Sequence, residues 1–244
     1  MTFRDTSKLS LELSSILEAI NNSLPKVNCS RCGTVYRGKE ENFICTDCKE
    51  KEQNKFEEIM KKNHQIKRLF QLSNIPKRYE NAIFEAKTTI QNQVRDYFLN
   101  NFSKKENLTK STDILLFGAI GTGKTYISCA FALELIKKKQ IGVKFITEYD
   151  LLALYFEKKY EAFKSFRECQ ILILDEIGKR VLADWQRIQL EELLSHRYNE
   201  MLPSIYITNL EQNDFKVFLG SRLADRLREN HLERFAFVGE SLRS

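Results

Sequence analysis

Residues 118–125 read Gly118-Ala119-Ile120-Gly121-Thr122-Gly123-Lys124-Thr125, a match to the pattern GxxxxGK[ST]. Glycines in this pattern let the backbone curl until its N–H groups point inward, where they bind phosphate oxygens. Lys124 supplies a cation for the β- and γ-phosphates of a nucleotide, and the hydroxyl of Thr125 is a ligand for Mg²⁺. The stretch therefore predicts an ATP site with Mg²⁺, in which Lys124 is also a candidate catalytic residue. The predicted nucleotide contacts in this segment are Gly118, Gly121, Thr122, Gly123, Lys124, Thr125 and Tyr126.

The elements around this loop have the order that its chemistry requires. The apolar run Ile114–Phe117 leads into the loop, and a helical pattern with Ile127 and Phe131 on one face leads out of it. Beyond Pro76, such β-rich runs alternate with helical patterns, which predicts an α/β domain with a parallel sheet covered by helices on both faces. The predicted strands are Ile114–Phe117, Val143–Thr147, Ile171–Leu174, Ser204–Thr208 and Phe235–Val238.

Two carboxylates follow the strand Ile171–Leu174 and complete the predicted ATP site. Asp175 is expected to hold Mg²⁺, and Glu176 to orient and polarise the attacking water. A glutamate next to the aspartate distinguishes a hydrolysing ATPase from many small-molecule kinases with the same loop.

Three further polar residues allow two interpretations each. Asn209, at the end of the strand Ser204–Thr208, either senses the γ-phosphate or caps the turn into the next helix. Arg222 and Arg226 lie four residues apart, on one face of a helix. Either arginine is inserted into the ATP site of a neighbouring subunit, or both form a solvated basic face.

The cysteines predict a structural zinc site. Cys29 and Cys32 form one Cys-x-x-Cys pair, and Cys45 and Cys48 form a second pair twelve residues later. Two such pairs match one tetrahedral Zn²⁺, and four protein ligands leave no open position for catalysis. The remaining two cysteines, Cys129 and Cys169, lie in apolar surroundings and are expected to be inert.

Composition narrows the class of protein without identifying it. The 244 residues are 42% hydrophobic, enough for one α/β domain and a small module, and the net charge of +6 permits an acidic partner without establishing one. The sequence shows neither an apolar run of membrane-spanning length nor a secretory signal, so we expect a cytoplasmic protein without a membrane partner.

Three segments outside these motifs carry patterns of their own. An amphipathic helix is predicted within residues 1–24, with the apolar stripe Leu9, Leu13, Ile16, Leu17 and Ile20. Residues 50–72 are highly charged and suit an exposed connecting helix. In residues 151–167 basic and aromatic residues interleave, which favours either contact with single-stranded DNA through Lys158, Lys159 and Tyr160 or an amphipathic helix with buried aromatics.

Taken together, these residues resemble the DnaC/IstB-type AAA+ ATPases, most closely the helicase loaders of bacteria and phages. The likeness runs from about Ile75 to the end of the chain. Besides the loop and the paired arginines, its markers are Ile75–Tyr79, Leu174–Gly178, His196–Asn199, Pro203–Leu210 and Glu240–Arg243.

The resemblance implies properties that spacing alone does not predict. It implies a five-stranded parallel sheet of order 5-1-4-3-2 without a C-terminal helical lid, and an adenine pocket near Ile75–Tyr79. It makes Asn209 a sensor, Arg226 the arginine inserted into a neighbouring site, and Arg243 an ATP contact.

The resemblance also implies two domains and a function. Residues 1–74 are expected to grip a helicase, and residues 75–244 to form the AAA+ ATPase domain. The predicted function is ATP-dependent loading of the replicative helicase hexamer onto single-stranded DNA, with self-association through the ATP sites. Three alternatives stay open: an IstB-like transposition ATPase that binds duplex DNA, a small-molecule P-loop kinase, and a zinc-dependent adaptor in which ATP is only structural.

Overall fold

The computed structural model describes residues 23–37, 44–102, 113–229 and 232–242. The chain divides into two compact units, Met1–Asn63 and His64–Ser244. The amphipathic helix predicted within residues 1–24 lies outside the described residues, apart from its last two positions. Within the described parts of the chain, no helix combines the length and apolarity needed to cross a bilayer.

The first unit holds a small hairpin and most of a long helix. Strand β1 (Lys26–Asn28) pairs antiparallel with β2 (Val35–Arg37), and helix α1 runs over Thr46–Leu72. The turn between β1 and β2 contains Gly33, whose φ of +73° is the left-handed conformation that glycine adopts at no steric cost. No side chain of α1 is buried, as expected for a charged connecting helix, although α1 begins at Thr46 rather than near Glu50.

The division between the two compact units falls inside α1. The assignment of residues 1–74 and 75–244 to two functional domains stays a prediction. Near the end of α1, Ile66, Leu69 and Phe70 pack against the hydrophobic core of the second unit. The buried Ser73 then accepts a hydrogen bond at its carbonyl from the N–H of Phe145, at 2.7 Å. These contacts make the last turns of α1 part of the second unit.

A five-stranded parallel sheet forms the centre of the second unit. Its strands are β3 (Ile114–Gly118), β4 (Val143–Thr147), β5 (Ile171–Ile177), β6 (Ser204–Thr208) and β7 (Glu233–Phe237). The order across the sheet is β4-β5-β6-β3-β7, and each neighbouring pair is parallel. Numbered within this sheet, the order is 5-1-4-3-2, which confirms the predicted fold class.

Helices cover both faces of the sheet. They are α2 (Thr89–Phe102), α3 (Lys124–Glu134, continued by a π-helical turn at Leu135–Lys139), α4 (Glu148–Phe156), α5 (Tyr160–Arg167), α6 (Asp184–Asn199), α7 (Gln212–Leu219) and α8 (Ser221–Glu229). A short 3₁₀ helix over Lys77–Tyr79 precedes α2. Helices α2 and α3 pack on one face of the sheet, and α4 to α8 pack on the other.

Alternation along the strands divides the core into two layers. In β3, Ile114 and Leu116 belong to the layer with α2 and α3, whereas Leu115 and Phe117 belong to the layer with α4 to α8. Both sets are apolar because a parallel sheet is buried on both faces, so the strands read as continuous hydrophobic runs.

Candidate nucleotide site and cysteine cluster

The predicted phosphate-binding loop connects β3 to α3, at the carboxyl end of a strand that lies between β6 and β7 in the sheet. The first and third of its glycines, Gly118 and Gly123, have φ of +108° and +90°. A Cβ on Gly118 would lie 2.5 Å from the carbonyl oxygen of Phe237, so the backbone of β7 approaches the loop too closely for any other residue. The N–H of Ala119 donates to the same carbonyl at 2.9 Å, which ties the loop to β7.

Lys124 lies inside the loop and not on its surface. Its side chain is 5% exposed, and its ammonium group donates to the carbonyls of Gly118 and Ala119, both at 2.7 Å. The hydroxyl of Thr122 donates to the carbonyl of Ala119 at 2.8 Å. The ammonium group of Lys124 therefore lies inside the curved backbone of the loop, where the predicted phosphate site lies.

The two predicted Mg²⁺ ligands meet although fifty positions separate them in the sequence. The hydroxyl of Thr125 donates to a carboxylate oxygen of Asp175 at 2.9 Å. Asp175 is 6% exposed, and its burial raises the pKa of the carboxyl, an effect that the hydrogen bond from Thr125 partly offsets. A hydroxyl and a carboxylate form a set of hard oxygen donors that suits Mg²⁺.

Glu176 has an unusual backbone conformation beside this pair. Strand β5, predicted to end at Leu174, continues to Ile177, with a register irregularity between these two residues. Glu176 itself has φ of +58°, which non-glycine residues rarely adopt. Its carboxylate is exposed and forms an ion pair with Lys179 at 2.9 Å.

A cavity of about 450 Å³ brings most of the predicted ATP residues together, although Gly118 does not line it. Its volume falls within the range of small-molecule sites, about 300–1,000 Å³. Predicted residues in its lining are Gly121, Thr122, Gly123, Lys124, Thr125, Tyr126, Asp175, Glu176 and Asn209.

Asn209 does not cap the following helix, so that interpretation is wrong. Helix α7 has Glu211 at its N-cap position, and the hydroxyl of Thr208 accepts the hydrogen bond from the N–H of Leu210. Asn209 instead lines the cavity, where a sensor of the γ-phosphate is expected.

The segment Ile75–Tyr79, the predicted adenine pocket, contributes Arg78 and Tyr79 to the same cavity. The ring of Tyr126 packs edge-on against Tyr79, with 6.4 Å between centroids, and its hydroxyl accepts a hydrogen bond from the N–H of Ile83. An aromatic pair of this kind suits one face of a purine ring.

Several lining residues are not predicted by the sequence. Gln91 is buried on α2, accepts from the N–H of Lys87 at 2.7 Å, and donates to the carbonyl of Thr122 at 3.3 Å. On the far side of the loop, the N–H of Leu242 donates to the carbonyl of Gly121 at 2.9 Å. No motif marks Gln91, because it acts through tertiary contact with the loop. Leu242 lies in Glu240–Arg243, one of the markers of the resemblance, but no role is predicted for it.

The predicted arginines lie away from this cavity. Arg226 donates to the hydroxyl of Ser195 at 2.6 Å and lies over the ring of Tyr198. Arg222 is exposed and pairs with Glu191 at 3.7 Å. Arg226 is therefore held by contacts with α6, whereas Arg222 is exposed beside Glu191, and the insertion of either arginine into a neighbouring site stays a prediction. Arg243 lies outside the described residues.

The basic and aromatic segment forms two helices, whose aromatic residues divide between the core and the surface, and its contact with single-stranded DNA stays a prediction. Phe163 and Phe166 of α5 are buried in the core, as an amphipathic helix requires. Phe156 and Tyr160 remain 74% and 52% exposed at the ends of α4 and α5. Lys158 and Lys159 occupy the turn between these two helices.

The four predicted zinc ligands lie together in the first unit. The sulfur atoms of Cys29, Cys32, Cys45 and Cys48 all lie within 4.8 Å of one another. Those of Cys32 and Cys45 are 3.7 Å apart, close to the separation of about 3.8 Å that Zn–S bonds of about 2.3 Å give in a tetrahedron. The geometry is compatible with zinc.

The electrostatics of this cluster favour a cation. The backbone N–H of Cys45 donates to the sulfur of Cys29, and such bonds lower the pKa of Cys29 to about 6. The pKa of Cys48 is raised to about 12, mainly by its hydrogen bond to the sulfur of Cys32 and further by those to the other cysteine sulfurs. Four crowded thiols cannot all ionise by themselves, and a divalent ion removes that repulsion.

The succession of strand β3, phosphate-binding loop and helix α3 defines a P-loop nucleotide-binding protein. A second strand, β5, brings Asp175 against Thr125, as such a site requires. The strand order of the sheet is that of the AAA+ class. The chain belongs to the family of IstB-like ATP binding proteins, whose model matches residues 46–243.

Individual proteins resemble the chain over much of its length. The uncharacterized protein YdaV of Escherichia coli K12 is 28% identical over 200 residues, 78% of this chain and 80% of YdaV. The replicative helicase loader DnaC of the same strain is 23% identical over 192 residues, 73% of this chain and 76% of DnaC. A crystal structure of the DnaC helicase loader, at 24% identity, superposes with a TM-score of 0.57 over 67% of this chain and all of that structure.

Proposed function

We propose that this protein hydrolyses ATP and loads a replicative helicase onto single-stranded DNA. The observation that carries the proposal is the assembled cavity, in which the loop lysine, the Thr125–Asp175 pair and Glu176 meet. The likeness to DnaC, a replicative helicase loader, supports the helicase as partner.

Each residue of the cavity has a distinct role in the proposed hydrolysis. ATP supplies the phosphoryl group, and a bound Mg²⁺ would offset part of the negative charge of the phosphates. Lys124 binds phosphate oxygens, and Thr125 and Asp175 hold the ion. Glu176 accepts a hydrogen bond from the attacking water and so orients and polarises it. Asn209 contacts the γ-phosphate region from the end of β6.

Self-association would complete the site through Arg226. Removal of one preorganised donor to a transition state typically lowers the rate about 10²-fold. Arg226→Ala should therefore bind ATP normally but turn it over about 10²-fold more slowly. Mixing it with Lys124→Ala should restore activity, because each variant supplies what the other lacks.

Steady-state ATPase assays of the single variants and of their mixture would check this prediction. Arg222→Ala, a change on the same helix at an exposed arginine, is the matched control and should keep the wild-type rate. Two folded variants that regain no activity on mixing would contradict a shared site.

An exposed aromatic cluster suits single-stranded DNA, the second proposed partner. Tyr155, Phe156, Tyr160 and Trp185 form this cluster, in which contacting rings have centroids 5.4–6.5 Å apart. Tyr155 is half-buried against the core, and the other three rings are exposed. Bases stack on such rings, and the neighbouring Lys158 and Lys159 supply positive charge for the phosphates.

The match to the IstB-like ATP binding proteins keeps open the second candidate that the resemblance implies, an IstB-like transposition ATPase that binds duplex DNA. Bases are accessible for stacking only in a single strand, so the loader should prefer single-stranded over duplex oligonucleotides of equal length. Fluorescence anisotropy with both DNA forms distinguishes the candidates, since a preference for duplex DNA would support the transposition ATPase.

Capture of the helicase tests the proposed partner. The stripe Leu9, Leu13, Ile16, Leu17 and Ile20 is a groove-binding pattern in a segment that we assign to the helicase contact. Leu13→Glu combined with Leu17→Glu should abolish capture of the replicative helicase hexamer in a pull-down, because charges replace the apolar contact. Zinc content and ATP affinity should not change.

Ser15→Glu with Asn22→Glu adds the same two charges to the opposite side of the predicted helix, and this control should capture the helicase normally. Undiminished capture by the Leu13/Leu17 variant would assign the contact to another part of the chain.

A further inference from the structure

A buried carboxylate outside the cavity contacts the segment that follows Glu176. Glu148 is the first residue of α4 and is only 3% exposed. Its carboxylate accepts a hydrogen bond from the backbone N–H of Gly178 at 2.9 Å. Glu148 does not line the cavity, and none of the proposed steps of hydrolysis uses it.

The backbone at Glu176 depends on its surroundings. A non-glycine residue with positive φ persists only where neighbouring contacts enforce that conformation. On one side, the N–H of Glu176 donates to the carboxylate of Asp175 at 2.8 Å. On the other side, the carbonyl of Ile177 accepts from the hydroxyl of Thr208 at 2.6 Å, and the N–H of Gly178 is bound by Glu148.

The first turn of α4 contacts the segment after Glu176 at two residues, Gly178 and Arg180. Besides the Glu148–Gly178 bond, the guanidinium of Arg180 lies 4.2 Å from the ring centre of Tyr149. The burial of Glu148 raises the pKa of its carboxyl, while the bond from Gly178 and the charge of Arg180 lower it. Its place at a helix N-terminus also favours the negative form.

We propose that Glu148 is a positioning residue for Glu176. By holding Gly178, it fixes the backbone that presents the Glu176 carboxylate to water, and it makes α4 part of the hydrolytic machinery. This role rests on the proposed ATP hydrolysis. Because α4 also carries Tyr155 and Phe156 of the aromatic cluster, the bond connects that surface to the hydrolytic glutamate.

Glu148→Ala in the full-length protein tests the proposal. Loss of the acceptor should lower kcat for ATP about tenfold, the effect of one lost hydrogen bond, while the Kd for ATP stays unchanged. Glu148→Gln should retain most of the rate, because an amide oxygen accepts the same bond. Hydrogen–deuterium exchange of residues 175–180 should accelerate in Glu148→Ala but not in Glu148→Gln.

Asp150→Ala is the matched control on the same helix turn. Asp150 accepts a hydrogen bond from the hydroxyl of Thr147, the N-cap residue of α4, so its contact lies within the cap of its own helix. The control should lower the melting temperature as Glu148→Ala does, without a change in kcat or in exchange at 175–180. If Glu148→Ala does not fold, Glu148→Asp, whose acceptor is one methylene shorter, carries the same expectation.

The outcomes separate this role from the proposed function. Turnover by the wild type, loss of it in Glu176→Gln, and a wild-type rate in Glu148→Ala would overturn the positioning role alone. Equal loss of rate in Asp150→Ala and Glu148→Ala would reduce Glu148 to a structural residue and overturn it as well. Absence of turnover in the wild type would contradict the hydrolytic function, and the positioning role with it.

Discussion

Glu176→Gln should leave ATP binding intact and lower the turnover rate about 10³-fold, within the range that general acid–base catalysis contributes. Glutamine has the shape of glutamate but lacks the negative charge that polarises water. The residue lines the cavity beside Asp175 and is exposed, so the exchange removes no buried contact. Single-turnover hydrolysis and equilibrium binding of ATP, measured on the same preparation, check both halves of this expectation.

Lys124→Ala should show the opposite behaviour and lose affinity for the nucleotide. Hydrogen bonds to charged groups contribute about 1.5–3 kcal/mol, which corresponds to a Kd about 10- to 100-fold higher. Lys138→Ala, at an exposed lysine beyond the other end of α3, removes the same charge and should bind ATP normally.

Hydrolysis at the wild-type rate by the Glu176→Gln protein would show that another group activates the water.

Cys45→Ser should release zinc and unfold the cysteine module, residues 27–50. Each chain is expected to carry about one zinc ion, because a single tetrahedral site uses all four thiolates. The strands β1 and β2 have three residues each, too few to be stable alone, so metal binding would supply the folding free energy of the module. Metal analysis and limited proteolysis of the purified variant measure the two effects.

Cys169→Ser is the matched control for this experiment, since it removes a thiol that lies in the second unit. Zinc content and resistance to proteolysis should both stay at the wild-type level in this variant. Purified wild-type protein without zinc in reducing buffer would contradict the metal site.

Much of the fold follows from local patterns. The predicted strands Val143–Thr147 and Ser204–Thr208 have the observed bounds, because a buried parallel strand is a short apolar run between turn and helix signals. The end of β5 differs from its prediction. There the chain passes through the positive φ of Glu176, a conformation stabilised by contacts with other elements, which a local pattern does not report.

The residues of the candidate site likewise fall into those that a local pattern predicts and those that it does not. The loop residues and the pair Asp175–Glu176 could be predicted, because their chemical roles depend on residue type and on close spacing in the sequence. Gln91 could not be predicted. It is one of many polar residues on a helix until the packing of α2 against the loop places its amide beside the carbonyl of Thr122.

The sequence by itself determined the chemistry that short segments hold: a cation and a hydroxyl after a glycine-rich turn, two acids after an apolar run, and four thiols in two pairs. These depend on neighbours within a few residues, whose separation the covalent chain sets. Only the tertiary structure decided which distant groups meet. The Thr125–Asp175 and Glu148–Gly178 bonds join residues 50 and 30 positions apart. Such contacts arise from the order and register of the strands and from close packing, which depend on the whole chain and not on any one segment.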